Sequence, residues 1–210
     1  MDELGNLLAG YRRFRETRYE AEKSRWRALV EGQSPRAIVI ACCDSRADPA
    51  TIFDTDPGEI FVVRNVANLV PPFEGGGGRH GVSAALEFAV TQLGVEDVVV
   101  MGHERCGGIH AALTGQFRDA PNGEGGFVAN WMSQIGERAG EIAATYGTGE
   151  DAARVLEEVA IRQSLANLRT FPFVAERQDA GTLKVVGCHF SISEGQLYML
   201  DEAENSFRPV

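Results

Sequence analysis

The sequence lacks the features of a membrane, secreted or nucleic-acid-binding protein. No apolar run approaches the ~20 residues that a membrane span needs. The first residues, MDELGNLLAGYRRF, contain no apolar segment of the signal-peptide kind. Basic residues are outnumbered, with 20 Lys and Arg against 30 Asp and Glu, and the net charge of −10 should repel phosphate backbones. We therefore expect a cytoplasmic protein with no membrane or nucleic-acid partner.

Cysteine is sparse, with four residues in a chain of 210. Because cytoplasmic thiols stay reduced, four cysteines indicate metal binding or catalysis before disulfides. The chain also lacks internal repeats and linker-like segments, and its length is enough for one sizeable core. We expect a single domain over residues 1–210.

Apolar, strand-like runs alternate with helical patterns along most of the chain. The predicted strands are Ala37–Cys42, Ile60–Arg64, Val95–Met101, Thr182–Ile192 and Gln196–Leu200. The first three are nearly all apolar, as strands buried on both faces of a parallel sheet should be, and the last two form an antiparallel hairpin. Helices are predicted at Val82–Leu93 and Gly149–Leu168. This pattern predicts an α/β fold, with a central, mostly parallel sheet of four strands, an antiparallel edge strand and helices on both faces.

Residues 1–31 are predicted to form a long N-terminal helical arm. Apolar and aromatic residues recur there at near-helical spacing, with Arg and Glu between them, and Gly32 and Pro35 end the pattern. Two interpretations stay open. The arm packs on another subunit, or it covers the sheet of its own chain.

Two of the predicted strands end in residues that can carry chemistry. CCDSR (42–46) closes the first strand, and GHERCGG (102–108) follows the third. Ligands gather at the carboxyl ends of parallel strands. His103 and Cys106 lie three residues apart in one tight turn, and with Cys42 they supply three zinc ligands. Three protein ligands leave a fourth position for water, as in catalytic zinc sites.

Each of these residues also has a purely structural explanation. Cysteine is often a small buried apolar residue, Asp44 could cap a helix, and Arg46 could be a surface charge. An acid and an arginine two residues apart beside a ligand nevertheless suit a pair that supports a metal site. Because strand residues alternate faces, Cys43 should point away from Cys42 and serve packing.

The paired motifs C-x-D-S-R and, about 60 residues later, G-H-x-x-C-G-G resemble those of the β-class carbonic anhydrases. The resemblance runs from EGQSPR through PGEIFVVRNVANLVPP and GVSAALEFAV to the closing hairpin. It implies reversible hydration of CO₂ to bicarbonate and a proton by a zinc-bound hydroxide. It assigns one Zn²⁺ per chain to Cys42, His103 and Cys106, and it makes Asp44 and Arg46 a catalytic dyad.

The resemblance also implies a substrate pocket. Its residues would be Gln33, Phe61, Val66, Phe88, Gly107 and Gly108. Gln33 matches a glutamine that hydrogen-bonds the substrate, and the Gly107–Gly108 region supplies a backbone N–H. Phe88 stands where plant-type members have a tyrosine, so any hydrogen bond from that ring is absent.

Subunits of this family form close dimers, and dimers of dimers are common, with the N-terminal helix embracing the partner and pocket residues crossing the interface. One branch has a second bicarbonate site, built from a tryptophan, an arginine and a tyrosine, that moves the dyad aspartate onto zinc. Arg64 matches the arginine here, but Val39 and Phe190 stand at the other two positions. The resemblance therefore indicates the open branch, in which Asp44 pairs with Arg46.

Two other functions stay open on sequence alone. One is a related zinc hydrolase acting on CS₂ or COS, and the other is a non-catalytic zinc-binding or regulatory protein, against which the dyad and Gln33 argue. Cys188 and His189 lie inside a strand, so we interpret them as structural. The glycine-rich stretch FEGGGGRHG (73–81) contains G-x-G-x-x-G, but no strand precedes it, and we interpret it as a flexible loop beside the active site.

Overall fold

The protein is represented by a computed structural model that describes residues 2–76 and 78–210. Gly77, in the predicted glycine-rich loop, lies outside the described residues. The chain forms two compact units, one ending at Ser34 and the other spanning Pro35–Val210. The division falls close to the end of the arm predicted at 1–31.

The N-terminal unit is helical, as predicted. Helix α1 (Glu3–Phe14) is followed by a π-helical turn (Arg15–Tyr19) and by helix α2 (Lys23–Leu29). Asp2 caps α1 by accepting a hydrogen bond from the Gly5 N–H at 2.8 Å.

The apolar face of α1 is formed by exposed side chains. Leu4, Leu7, Leu8 and Tyr11 recur at the spacing of one helical face, and all four side chains are exposed. No residue of α1 is buried. The arm therefore presents a continuous apolar stripe, which we call the α1 stripe.

The second unit is built on one sheet. The strands in its described part are β1 (Ala37–Cys42), β2 (Ile60–Asn65), β3 (Asp97–His103), β4 (Lys184–Ser191), β5 (Gln196–Asp201) and β6 (Ser206–Pro209). Their order is β2-β1-β3-β4-β5-β6. The first four are parallel, and β5 and β6 are antiparallel to their neighbours. The predicted mostly parallel α/β fold is confirmed.

The sheet has one strand more than predicted, because β6 pairs with β5 at the outer edge. The segment is only four residues long, carries a proline and is half-exposed to exposed. Proline is tolerated in edge strands, where its missing N–H is not needed for pairing. A segment this short and polar has no apolar run by which sequence reasoning could find it.

Helices fill the connections of this unit. They are α3 (Pro49–Ile52), α4 (Gly81–Glu87), α5 (Gly107–Thr114), α6 (Gly126–Met132), α7 (Gly136–Tyr146), α8 (Glu150–Leu168) and α9 (Pro172–Asp179). The helix predicted at 82–93 is α4 continued by a π-helical segment, Phe88–Leu93. The predicted helix at 149–168 matches α8. No helix of the described ranges is long and apolar enough to cross a membrane.

The two faces of the sheet are covered differently. Ile38 and Ile40 pack with residues of α4, α8 and α9 on one face. On the other face, Val39 and Ala41 pack with Ile52 of α3 and with residues of β5. Helices thus lie on both faces of the sheet. In the described part of this unit, α3 is the helix that packs on the face of Val39 and Ala41.

Helix α8 lies very close to strands β3 and β4. A Cβ atom at Gly102 or at Gly187 would come within 2.7 Å of Ile161, so glycine is needed at both positions for this close approach. Glu157 precedes Ile161 by one helical turn and is therefore on the same face of α8. This face is directed at the carboxyl ends of the central strands.

Candidate metal centre

The three predicted metal ligands come together in the structure. Cys42 is the last residue of β1, His103 is the last residue of β3, and Cys106 directly precedes α5. Because β1 and β3 are neighbouring parallel strands, their carboxyl ends meet. The three ligand atoms all lie within 4.8 Å of one another, and all three residues are buried.

The geometry of this cluster fits zinc. The two Sγ atoms are 3.8 Å apart, and ideal Zn–S bonds of 2.3 Å at a tetrahedral angle give about 3.8 Å. The Nδ1–H of His103 donates to the Glu104 carbonyl at 2.9 Å, whereas its buried Nε2 has no hydrogen-bond partner in the described part of the chain. A buried ring nitrogen without a partner is costly, and a metal bond would satisfy it. The donors suit zinc with one position left open.

The two thiols of the cluster influence each other's ionisation. The hydrogen bond from Cys106 lowers the pKa of Cys42 well below that of a free thiol. The neighbouring Cys42 sulfur and burial both raise the pKa of Cys106. One proton is thus shared between two sulfur atoms, and a bound divalent cation would displace it.

Asp44 and Arg46 form the predicted pair. Nε and Nη2 of Arg46 donate to the two carboxylate oxygens of Asp44 at 2.9 and 2.7 Å, and the Arg46 backbone N–H donates to Oδ1 at 3.0 Å. The hydrogen bonds from Arg46 hold the pKa of Asp44 far below its usual range. Arg46 also donates to the carbonyl of Arg105 at 3.1 Å. The pair is therefore anchored to the loop that carries Cys106.

Arg64 is fully engaged with groups of its own chain. Its three nitrogen atoms donate to the Cys42 carbonyl at 2.9 Å, to Asp48 at 2.9 Å and to the Asp44 carbonyl at 2.7 Å. Arginine at this position thus supports the CCDSR turn. The buried Val39 and the half-buried Phe190 at the other two positions have no polar side-chain atom to offer an anion.

The residues of the expected substrate pocket fall into separate groups. Val66 and Gly108 are in close contact, because a Cβ at Gly108 would lie 2.6 Å from Cγ1 of Val66. Gly107 opens α5 directly after Cys106. These three residues therefore lie beside the metal ligands of the same chain, because Gly107 and Gly108 directly follow Cys106 and Val66 contacts Gly108.

Phe61 and Phe88 pack on each other elsewhere, with ring centroids 6.0 Å apart. Phe61 pairs with Ile38, four residues before Cys42 on β1, which is roughly 13 Å along the strand. Phe88 is 48% exposed. The fold does not bring these two rings to the metal cluster of their own chain. Gln33 belongs to the N-terminal unit and is exposed.

One residue of the site escaped the sequence analysis. Glu157 is 3% exposed, and its Oε1 accepts a hydrogen bond from the backbone N–H of Cys106 at 3.2 Å. Its other oxygen accepts from His189, which the sequence analysis had treated as structural. The available signal was an acid among the apolar residues on the buried side of α8, between Leu156 and Ala160.

Comparison with known proteins identifies the family of the chain. Residues 37–197 match the family described as "Carbonic anhydrase". The chain is 34% identical over 198 residues to "Beta carbonic anhydrase 6, mitochondrial" of Arabidopsis thaliana, covering 93% of this chain and 67% of the relative. It is 36% identical over 206 residues to a carbonic anhydrase of Pseudomonas aeruginosa, covering 97% and 90%.

Solved structures agree as well. The β-carbonic anhydrase CcaA superimposes with a TM-score of 0.90 at 29% identity, over 100% of both chains. A tetrameric β-carbonic anhydrase of Sordaria macrospora gives a TM-score of 0.79 at 26% identity, over 94% of this chain and 96% of the other. With its paired motifs, its zinc-compatible cluster and these relatives, the chain belongs to the β-class of the carbonic anhydrase family.

Proposed function

We propose that this protein catalyses the reversible hydration of CO₂ to bicarbonate and a proton. The observation that carries the proposal is the buried Cys42–His103–Cys106 cluster, whose three donors would leave a fourth zinc position to water, with an ionised Asp44 two residues from Cys42. A stopped-flow assay with CO₂, COS and CS₂ tests it. CO₂ should be the preferred substrate, and turnover of CS₂ or COS without CO₂ hydration would contradict the proposal.

In this mechanism Cys42, Cys106 and Nε2 of His103 would hold zinc. The bound metal would acidify a water molecule and so supply a nucleophile near neutral pH. Asp44 accepts a hydrogen bond from the attacking group and aims it at the carbon of CO₂. Arg46 keeps Asp44 ionised and oriented through the two-pronged hydrogen bond described above.

The negative charge that develops on the CO₂ oxygen needs donors. A backbone N–H of the Gly107–Gly108 region supplies one of them at the start of α5, next to Cys106, and the side-chain amide of Gln33 supplies a further one. Val66 provides an apolar wall beside Gly108. We propose that Phe61 and Phe88, which lie away from the cluster of their own chain, contribute to the pocket of a second subunit.

Removing the Gln33 amide should slow the reaction without affecting the metal. In Gln33→Ala, we expect kcat/KM for CO₂ to fall by roughly 5- to 150-fold, because a developing charge loses one donor. Zinc content should stay at one per chain. The control is Gln178→Ala on α9, which should change neither value. Unchanged hydration kinetics in Gln33→Ala would show that Gln33 does not meet the substrate.

We propose that the protein is a homodimer or a dimer of dimers, and that the arm of residues 1–31 packs on a partner subunit as part of one domain over 1–210. The α1 stripe supports this, since four exposed apolar side chains on one helix face favour burial against another surface. A related β-carbonic anhydrase from Sordaria macrospora is described as tetrameric.

The α1 stripe offers a direct test of assembly. Leu7→Glu with Leu8→Glu should shift the protein towards the monomer in light scattering coupled to size exclusion, because charge would be placed on the stripe. The control is Asn6→Glu, which adds a negative charge on the opposite, exposed side of the same helix. An unchanged mass in the double variant, with the control also unchanged, would show that the stripe is not at the interface.

We also propose the open branch of the family and a cytoplasmic location. The open branch is supported by the ion pair of Asp44 with Arg46 and by the ion pair of Arg64 with Asp48 of the same chain. Four free cysteines, one of them the exposed Cys43, support a reducing compartment.

The open branch predicts a simple pH profile. CO₂ hydration should rise along a single-proton curve between about pH 6 and 9, because Asp44 stays with Arg46 throughout this range. Stopped-flow kinetics at constant ionic strength, with and without added bicarbonate, measure the profile. A steep, cooperative loss of activity below about pH 8, enhanced by bicarbonate, would contradict this proposal.

A further inference from the structure

The loop between His103 and α5 has a backbone that must be held in place. Arg105 has a φ of 55°, in the left-handed region, which costs free energy for a residue other than glycine. Cys106 follows it directly. The direction of the Cys106 thiol therefore depends on whatever keeps this strained turn from relaxing.

One side of the turn is held by contacts near the surface. The Glu104 carboxylate accepts hydrogen bonds from the backbone N–H of Ser193 at 2.7 Å and from its hydroxyl at 3.0 Å. The Glu104 N–H donates to the Phe190 carbonyl at 2.9 Å. These bonds fix Glu104 to the end of β4, but none of them reaches Cys106.

Cys106 itself is held by a separate chain of side chains, of which Glu157 and His189 are buried. Its N–H donates to Oε1 of Glu157 at 3.2 Å. Nε2 of His189 lies 2.9 Å from Oε2 of Glu157, and Nη1 of Arg154 lies 2.6 Å from Nδ1 of His189. Glu157 is 3% exposed and His189 is fully buried.

The hydrogen-bond roles in this chain are fixed by its chemistry. A guanidinium can only donate, and Nη1 of Arg154 is nearer to Nδ1 of His189, at 2.6 Å, than to Nε2, at 3.2 Å, so we assign Nδ1 as the acceptor. The proton of a neutral His189 ring is then on Nε2, which donates to Glu157. Both oxygens of Glu157 therefore accept, one from His189 and the other from Cys106. Arg154 also pairs with Glu158 at 3.1 Å, which holds its guanidinium beside His189.

We infer that Glu157 is a positioning residue for the metal ligand Cys106, and that His189 and Arg154 keep Glu157 in place. The inference rests on the proposed function in one respect, which is that Cys106 binds zinc. Helix α8 supports Glu157 rigidly, because Gly102 and Gly187 let Ile161, one turn later, pack directly on the sheet. Glu157 thereby couples the position of α8 to the geometry of the metal site.

The test is Glu157→Gln, measured by zinc affinity and by the absorption spectrum of the cobalt-substituted protein. Glutamine has one oxygen and one NH₂, so it cannot accept from both Cys106 and His189, and a donor would face a donor. We expect zinc affinity to fall by about 10- to 100-fold. We also expect the thiolate-to-cobalt and d–d bands to shift or broaden, because the Cys106 sulfur is no longer held in one direction.

The matched control is Asn167→Ala on the same helix. Asn167 is also buried, and its amide donates to the Val70 carbonyl at 2.7 Å, away from the Cys106 loop. This variant should lose thermal stability, as a buried hydrogen bond is removed, yet keep the wild-type zinc affinity and cobalt spectrum. The comparison separates positioning of the metal ligand from a general loss of stability.

Wild-type affinity and an unchanged cobalt spectrum in Glu157→Gln would overturn the inference. Should that variant not fold, Arg154→Met tests the same chain from its more exposed end, since it removes the donor to His189. Arg154→Met should weaken zinc binding several-fold and shift the cobalt spectrum in the same direction as Glu157→Gln. An unchanged zinc affinity and cobalt spectrum would again overturn the inference. Wild-type protein measured in parallel keeps the two proposals apart, because a wild type that binds no zinc would refute the proposed function instead.

Discussion

Replacing Cys106 with serine should remove zinc from the protein and lower CO₂ hydration by roughly 1000-fold or more. A serine hydroxyl stays protonated at neutral pH and is a poor zinc ligand, so only Cys42 and His103 would remain as donors. The site is buried, and water cannot replace the lost thiolate with an equally strong bond. Metal analysis by mass spectrometry and stopped-flow hydration on the same sample measure both effects.

The control for this experiment is Cys43→Ser. Cys43 is adjacent to the ligand Cys42 in sequence, but it is exposed and lies outside the cluster. This variant should keep one zinc per chain and close to wild-type activity. Full zinc occupancy in Cys106→Ser would refute the ligand assignment, whatever its activity.

Asp44→Asn should lower kcat/KM for CO₂ by about 100-fold while zinc stays bound. The amide keeps the size of the carboxylate, but it carries no charge and presents an NH₂ group where the carboxylate accepts. The amide has only one accepting oxygen, so it can no longer accept hydrogen bonds both from Arg46 and from the attacking group. The measurement is stopped-flow kinetics on protein of known zinc content.

Another Asp–Arg pair, outside the metal cluster, supplies the control. Asp201 lies 3.3 Å from Arg208 in the β5–β6 hairpin, so Asp201→Asn removes the same kind of charge without touching the cluster. Its kcat/KM should equal that of the wild type. Wild-type kinetics in Asp44→Asn as well would show that Asp44 takes no part in the reaction.

The pH at which Asp44 titrates can be placed on physical grounds. Arg46 lowers the pKa of Asp44 below its value in the unfolded chain, which is about 3.9. The pair therefore stabilises the fold fully above this pH, and the contribution is lost as pH falls through the lowered pKa of the folded state. Activity changes in the neutral range thus do not arise from protonation of Asp44.

The metal cluster could be predicted because its signals are local. Cys42 and His103 each end a short apolar run that is typical of a buried strand, and Cys106 lies within one turn of His103. The expectation that the two strand ends meet required only that the strands be parallel and near each other. Their adjacency, with β1 paired to β3, was supplied by the structure.

The support behind the cluster was not predictable in the same way. Glu157 lies 51 residues after Cys106 in sequence, and its contact depends on how closely α8 packs on β3 and β4. The position of His189 inside a strand led to a structural interpretation, but it gave no indication of the hydrogen bonds that His189 makes. Likewise, the register of β1 and β2, rather than any motif, separates Phe61 from the metal ligands.

The most direct test of the account is a zinc titration of the purified protein with hydration measured at each step. Zinc is removed with a chelator and returned in known amounts, and the CO₂ hydration rate is followed by stopped flow. We predict one zinc per chain and a rate proportional to zinc occupancy, which reaches its maximum at full occupancy. A fully loaded protein that hydrates CO₂ no faster than buffer, or activity that persists after zinc is removed, would contradict it.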